Sequence, residues 1–158
     1  MIRISAWQFQ DPVCRWEETL GPLIEQNRIT LRQLAMHLTE DLPTAFLPSL
    51  LASLPHLRSL VLFADTMMVE DLFSILDGCP SSLERFNLNA NLTRRRSKLD
   101  QGDSVNDPDY SSNPSVAKPL QLKSLSMPDS DIRGTMEAIL SRLAAHSLRE
   151  FEISPRYC

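Results

Sequence analysis

Glycine is scarce in this chain, with four among 158 residues. A glycine-rich phosphate-binding loop is therefore not to be found in it. Cysteine is equally thin. Cys14, Cys79 and Cys158 are too few and too scattered for a disulfide framework or a zinc site. No stretch approaches the ~20 consecutive apolar residues of a membrane span. The opening MIRISAWQFQDP lacks the apolar run and small-residue cleavage site of a secretory signal. These absences point to a reducing intracellular setting, cytoplasmic or nuclear. Basic residues are outnumbered, giving a formal charge of -4 and a pI near 5.3. That balance argues against general nucleic-acid binding. Only three histidines occur, His37, His56 and His146, and no carboxylate or nucleophile stands at a spacing that builds a triad. The expectation is a protein that is not an enzyme and that uses no cofactor or metal.

What is present is a repeated apolar spacing, L-x-x-L-x-L. It runs through Leu31, Leu34 and Met36, then Leu57, Leu60 and Leu62, then Leu83, Phe86 and Leu88. It returns as Leu122, Leu125 and Met127 and again as Leu148, Phe151 and Ile153. The leading positions are 26, 26, 39 and 26 residues apart, the long interval being one period plus 13. A weaker sixth copy, Ile4, Trp7 and Phe9, stands 27 residues before the first. Self-similarity at this period is the signature of a solenoid.

The fourth and sixth places alternate with polar residues, the period of a half-buried strand. The return half of each unit changes to a helical period. Leu42, Phe46, Leu47, Leu50, Leu51 and Leu54 recur at three- and four-residue steps. So do Val69, Leu72, Phe73, Ile75 and Leu76, and later Met136, Ile139, Leu140 and Leu143. Gly21 and Pro22 predict only a short helix over Trp16 to Ile24, and Pro48 is expected to shorten or kink the second helix. Stacked strand–helix units would set their strands in one parallel sheet over a continuous leucine core. The fold class is α/β, a single domain over 1–158 with about six units.

The segment VEDLFSILDGCPSSLERFNL, residues 69 to 88, resembles the cysteine-containing leucine-rich repeats of F-box/leucine-rich-repeat proteins. Leu72, Leu76, Cys79, Pro80, Leu83, Phe86 and Leu88 match that pattern, and Asp71 stands one place out of register. The family's turn residue would fall at Thr39, Asp65, Asn91 and Ser130, where only Asn91 fits, as in an irregular, fungal-type repeat. The resemblance implies strands on a concave face, short helices on a convex face, and a substrate-recognition arm of a ubiquitin-ligase receptor. The F-box module has no counterpart before the first strand. Neither end carries a polar capping unit, so the chain reads as part of a longer solenoid or as one that pairs end to end.

Residues 94 to 119 depart from the repeat. RRRSKLDQGDSVNDPDYSSNPSVAKP is poor in apolar residues and is expected to be a disordered loop that replaces a helix. Arg94, Arg95 and Arg96 before Ser97 fit a basophilic kinase site, and the same cluster fits a nuclear-localisation patch. The plainer reading is a solvated loop whose basic head and acidic middle attract each other.

Function is expected on the concave face, at the places beside the buried ones. These are Gln33, Ala35 and His37; Ser59, Val61 and Phe63; Arg85, Asn87 and Asn89; Ser124 and Ser126; and Glu150 and Glu152. Phe63 with a nearby Arg85 suggests a hot spot for a protein partner, unless Phe63 folds back over the strand–helix turn. Arg32, Arg58, Lys123 and Arg149 are expected on a solvated edge and not in a basic groove. The chain is thus expected to bind an unidentified protein, neither nucleic acid nor membrane. A structural scaffold with the loop as its working part is the alternative.

Overall fold

A computed structural model describes residues 4–5, 16–38, 46–93, 119–128, 135–144 and 146–154. Strands and helices alternate through them: β1 (Ile4–Ser5), α1 (Trp16–Asn27), β2 (Gln33–Leu38), α2 (Leu47–Ala52) and β3 (Ser59–Met68). There follow α3 (Val69–Gly78), β4 (Arg85–Thr93), β5 (Ser124–Pro128), α4 (Thr135–Leu140) and β6 (Glu150–Ser154). β2 to β6 form a five-stranded parallel sheet in chain order, and β1 adds a two-residue stub beside β2.

The register follows the apolar spacing. Gln33 pairs with Ser59, Ser59 with Arg85, Arg85 with Ser124 and Ser124 with Glu150. The residue just before each strand repeats one backbone motif. The Arg32 carbonyl accepts from both Arg58 N–H (2.8 Å) and Ser59 N–H (3.1 Å). The Arg58 carbonyl does the same for Glu84 and Arg85, Glu84 for Lys123 and Ser124, and Lys123 for Arg149 and Glu150. One carbonyl thus satisfies two donors at every step, which fixes where each strand begins.

Strand side chains divide by face. Leu34, Met36, Leu60, Leu62, Phe86, Leu88, Leu125 and Met127 are all at most 3% exposed. They share one core with Leu47 and Leu51 of α2, with Val69, Leu72, Ile75 and Leu76 of α3, and with Ile139 of α4. The helices therefore cover one face of β2 to β5 and leave the other open along β2 to β4, while at β6 Phe151 and Ile153, expected to be buried, stay 44% and 51% exposed.

Several expectations need correction. Ile4 pairs with Leu34, not with Leu31, so the first copy is out of step by three residues. A strand of two residues makes too few pairs for its spacing to be enforced. α1 is a 12-residue helix that carries Pro22 inside it. An interior proline costs about 3 kcal/mol, and burial of Ile24 to 2% exposure offsets part of that. α2 is a short helix of six residues, and Pro48 sits in its first turn, where the missing N–H has no helical partner to lose, not at a kink in its middle. β3 and β4 run past the expected strand ends, so Asp65 and Asn91 lie within strands and not in turns. Of the loop expected over 94–119, residues 94–118, Ser97 included, lie outside the described residues, as do Trp7, Phe9, Cys14 and Cys158. Leu120, just after that segment, is buried and bridges in parallel to Leu143.

Candidate protein-interaction face

The register assembles the open-face residues into rows that cross the strands. The first is Gln33, Ser59, Arg85, Ser124 and Glu150. The second is Ala35, Val61, Asn87, Ser126 and Glu152, and the third is His37, Phe63 and Asn89. Phe63 keeps 42% of its surface exposed in mid-strand, so it does not fold back over the turn. Its neighbours across the strands are His37 and Asn89, both exposed.

Two parts of the expected site come apart. Arg85 opposes Ser59, four residues below Phe63 on the pairing scale. Four residues of strand are about 13 Å, so Arg85 stands at the far end of the strand from Phe63 and not beside it. At β5 the face closes: Ser126 is only 8% exposed and Pro128 is buried. Glu150 and Glu152 on β6 are exposed but stand beyond that closed strand.

The face also extends where the spacing did not reach. A register shift between Phe63 and Thr66 is followed by the pairs Thr66–Asn91 and Met68–Thr93, all four exposed. Met68 is 38% exposed, and the Thr93 hydroxyl lies 3.3 Å from its Sδ. β4 thus presents Arg85, Asn87, Asn89, Asn91 and Thr93 in one exposed series. The alternation of Ala90 and Leu92 with these polar residues carried that signal, but the turn residue of the leucine-rich pattern drew Asn91 out of the strand. The resulting patch has two large apolar side chains, Phe63 and Met68, bordered by three amides and a histidine.

The remaining polar candidates have structural roles. Glu70 and Asp71 occupy the first turn of α3, where carboxylates suit the helix dipole. His146 adopts φ 66 in the turn before β6, a left-handed backbone that makes it a turn residue. Cys79 ends α3, its N–H donating to the Leu76 carbonyl, and its half-buried thiol is pushed up to about 12 by burial and by the nearby Asp77. A thiol so raised is a poor nucleophile. Among the described residues no three His, Cys, Asp or Glu side chains are grouped to hold a metal, and no helix is long and apolar enough to cross a membrane.

No protein-family model matches the chain, and no curated protein or solved structure matches it.

Proposed function

We propose that the chain is a non-catalytic protein-interaction module, a leucine-rich-repeat solenoid of about six units that binds a protein through its open sheet face. The observation that carries this reading is the patch on β3 and β4. Helices cover one side of these strands, while the other presents Phe63 and Met68 among His37, Asn87, Asn89 and Asn91. Apolar anchors ringed by amides are the composition of a binding hot spot, since the anchor is desolvated and the amides satisfy partner backbone. The 26-residue register and the two-donor carbonyl at each strand entry support the repeat reading. The resemblance to F-box/leucine-rich-repeat proteins makes the partner a substrate of a ubiquitin-ligase receptor in this reading, by analogy of fold.

A photo-crosslinking amino acid placed at Asn89, at His37 and at the helix-side residue Glu137 tests the face. The first two sites capture the same protein from cell extract, Glu137 does not, and Phe63→Ala abolishes capture. Equal capture from Glu137, or loss of capture on deleting residues 94 to 119 with Phe63→Ala harmless, would move the function to the loop.

A further inference from the structure

We propose that the strand-entry rim of β2 to β5 is a docking strip for a short acidic polypeptide segment of the partner. The proposal rests on the reading of the open face as a protein-binding surface and adds the chemistry of what lies across its edge. Arg32, Arg58, Glu84 and Lys123 each immediately precede a strand, and the shared backbone carbonyls align them one per strand. Arg85 opens the open-face row beside them. Arg32, Arg58, Arg85 and Lys123 are all exposed.

Among the described residues the only carboxylate in this strip is Glu84. Lys123 Nζ lies 2.9 Å from its Oε1, and Arg58 and Arg85 also stand close enough to favour its charged form. Three cations therefore share one anion, and Arg32 adds a fourth. Among the described residues the Arg32 guanidinium reaches the Ile29 and His56 carbonyls, both through Nη1 and only at 3.5 and 3.4 Å, so most of its five donors are not used by them. The strip thus holds an excess of three positive charges in a chain whose formal charge is -4.

Geometry sets the size of the occupant. Neighbouring strands lie about 4.8 Å apart, so β2 to β5 spans about 14 Å. An extended segment covers that distance in about four or five residues. Guanidinium forks match carboxylates in bidentate geometry. Carboxylate also suits the strip better than a long polyphosphate chain does. Glu150 and Glu152 stand at the far end of the same face and repel a polyanion that runs on past β5. At β6 the rim residue Arg149 is offset by the adjoining Glu150, so the excess of positive charge, and with it the acidic stretch of the partner, ends at β5.

The test is fluorescence anisotropy with a labelled hexaglutamate peptide at low and at physiological salt, beside a hexalysine peptide and a thymidine oligonucleotide. Hexaglutamate binds saturably and weakens with salt, while hexalysine and the oligonucleotide do not bind. Arg58→Glu/Arg85→Glu weakens hexaglutamate at least tenfold with the circular dichroism unchanged, and the same charge change at Arg94 and Arg95 leaves it within twofold. Binding that ignores the Arg58/Arg85 reversal, that follows Arg94 and Arg95, or that is matched by the oligonucleotide overturns the proposal. The peptide is measured directly, so its failure leaves the Asn89 crosslink standing. Loss of the crosslink with peptide binding intact sinks the face reading alone.

Discussion

Gly78, the last residue of α3, packs so tightly on α2 that a Cβ built on it would lie 2.5 Å from Pro48 Cα and 2.7 Å from the Pro48 carbonyl oxygen. Neither atom belongs to a flexible side chain that swings away. The two helices meet here because Gly78 offers no side chain and Pro48 sits in the first turn of α2.

Gly78→Ala sets helix propensity against this contact. Propensity alone favours alanine by about 1 kcal/mol within a helix. Overpacking against backbone costs about 1–3 kcal/mol, and that term wins here. The expected outcome is a lower urea midpoint with an unchanged slope. A midpoint equal to or above that of the parent chain would mean that α2 and α3 separate freely.

Leu62 and Phe63 are consecutive in β3 and point to opposite sides of the sheet. Leu62 is fully buried and Phe63 is 42% exposed. Leu62→Ala should therefore cost about 2–5 kcal/mol by opening a cavity. Phe63→Ala should shift stability by well under half of that, and its effect should appear in partner capture. Equal loss of stability from both would show that the open face is covered in solution.

The core was legible because the spacing of buried residues is rigid. Leu34, Leu60, Phe86 and Leu125 are a fixed 26 or 39 residues apart and pair in that register. α3 was legible for the same reason, its buried stripe matching the three- and four-residue steps from Val69 to Leu76. The site was harder to see, since an open-face residue meets no packing constraint that leaves a mark in the spacing. The distance between Phe63 and Arg85 depends on where each lies along its strand, and Met68 depends on a register shift that no periodicity encodes. Burial of Ser126 belongs to the same class, because a serine at a polar place looks alike whether covered or bare.

Cys79 gives a prediction in pH. Its thiol is raised from 9.0 to about 12, burial first and Asp77 second. The folded chain therefore holds the neutral thiol where the unfolded chain has begun to ionise. The resulting stability is complete below pH 9 and is lost as pH rises toward 12. Cys79→Ser should flatten that decline. Iodoacetamide at pH 8, followed by peptide mapping, should leave the Cys79 peptide unmodified until denaturant is added. Rapid labelling in the native state would contradict the raised thiol.

Arg142 ties the end of α4 to α3, from a point 65 residues further along the chain. Its guanidinium carbon lies 4.3 Å from the centre of the Phe73 ring, its Nε donates to Asp77 Oδ1 at 3.3 Å, and Nη1 donates to the Ala138 carbonyl at 2.9 Å. The ion pair is partly exposed, so it contributes about 0–1 kcal/mol. Stacking over the largely buried Phe73 ring adds about 0.5–2 kcal/mol. The ring contact is thus the larger part. Arg142→Ala should lower stability most, and Arg142→Lys should recover little, because a lysine keeps the charge but loses the planar face. Asp77→Asn should cost least of the three. If Asp77→Asn instead matches Arg142→Ala in urea unfolding, the salt bridge holds this junction and the stacked ring does not.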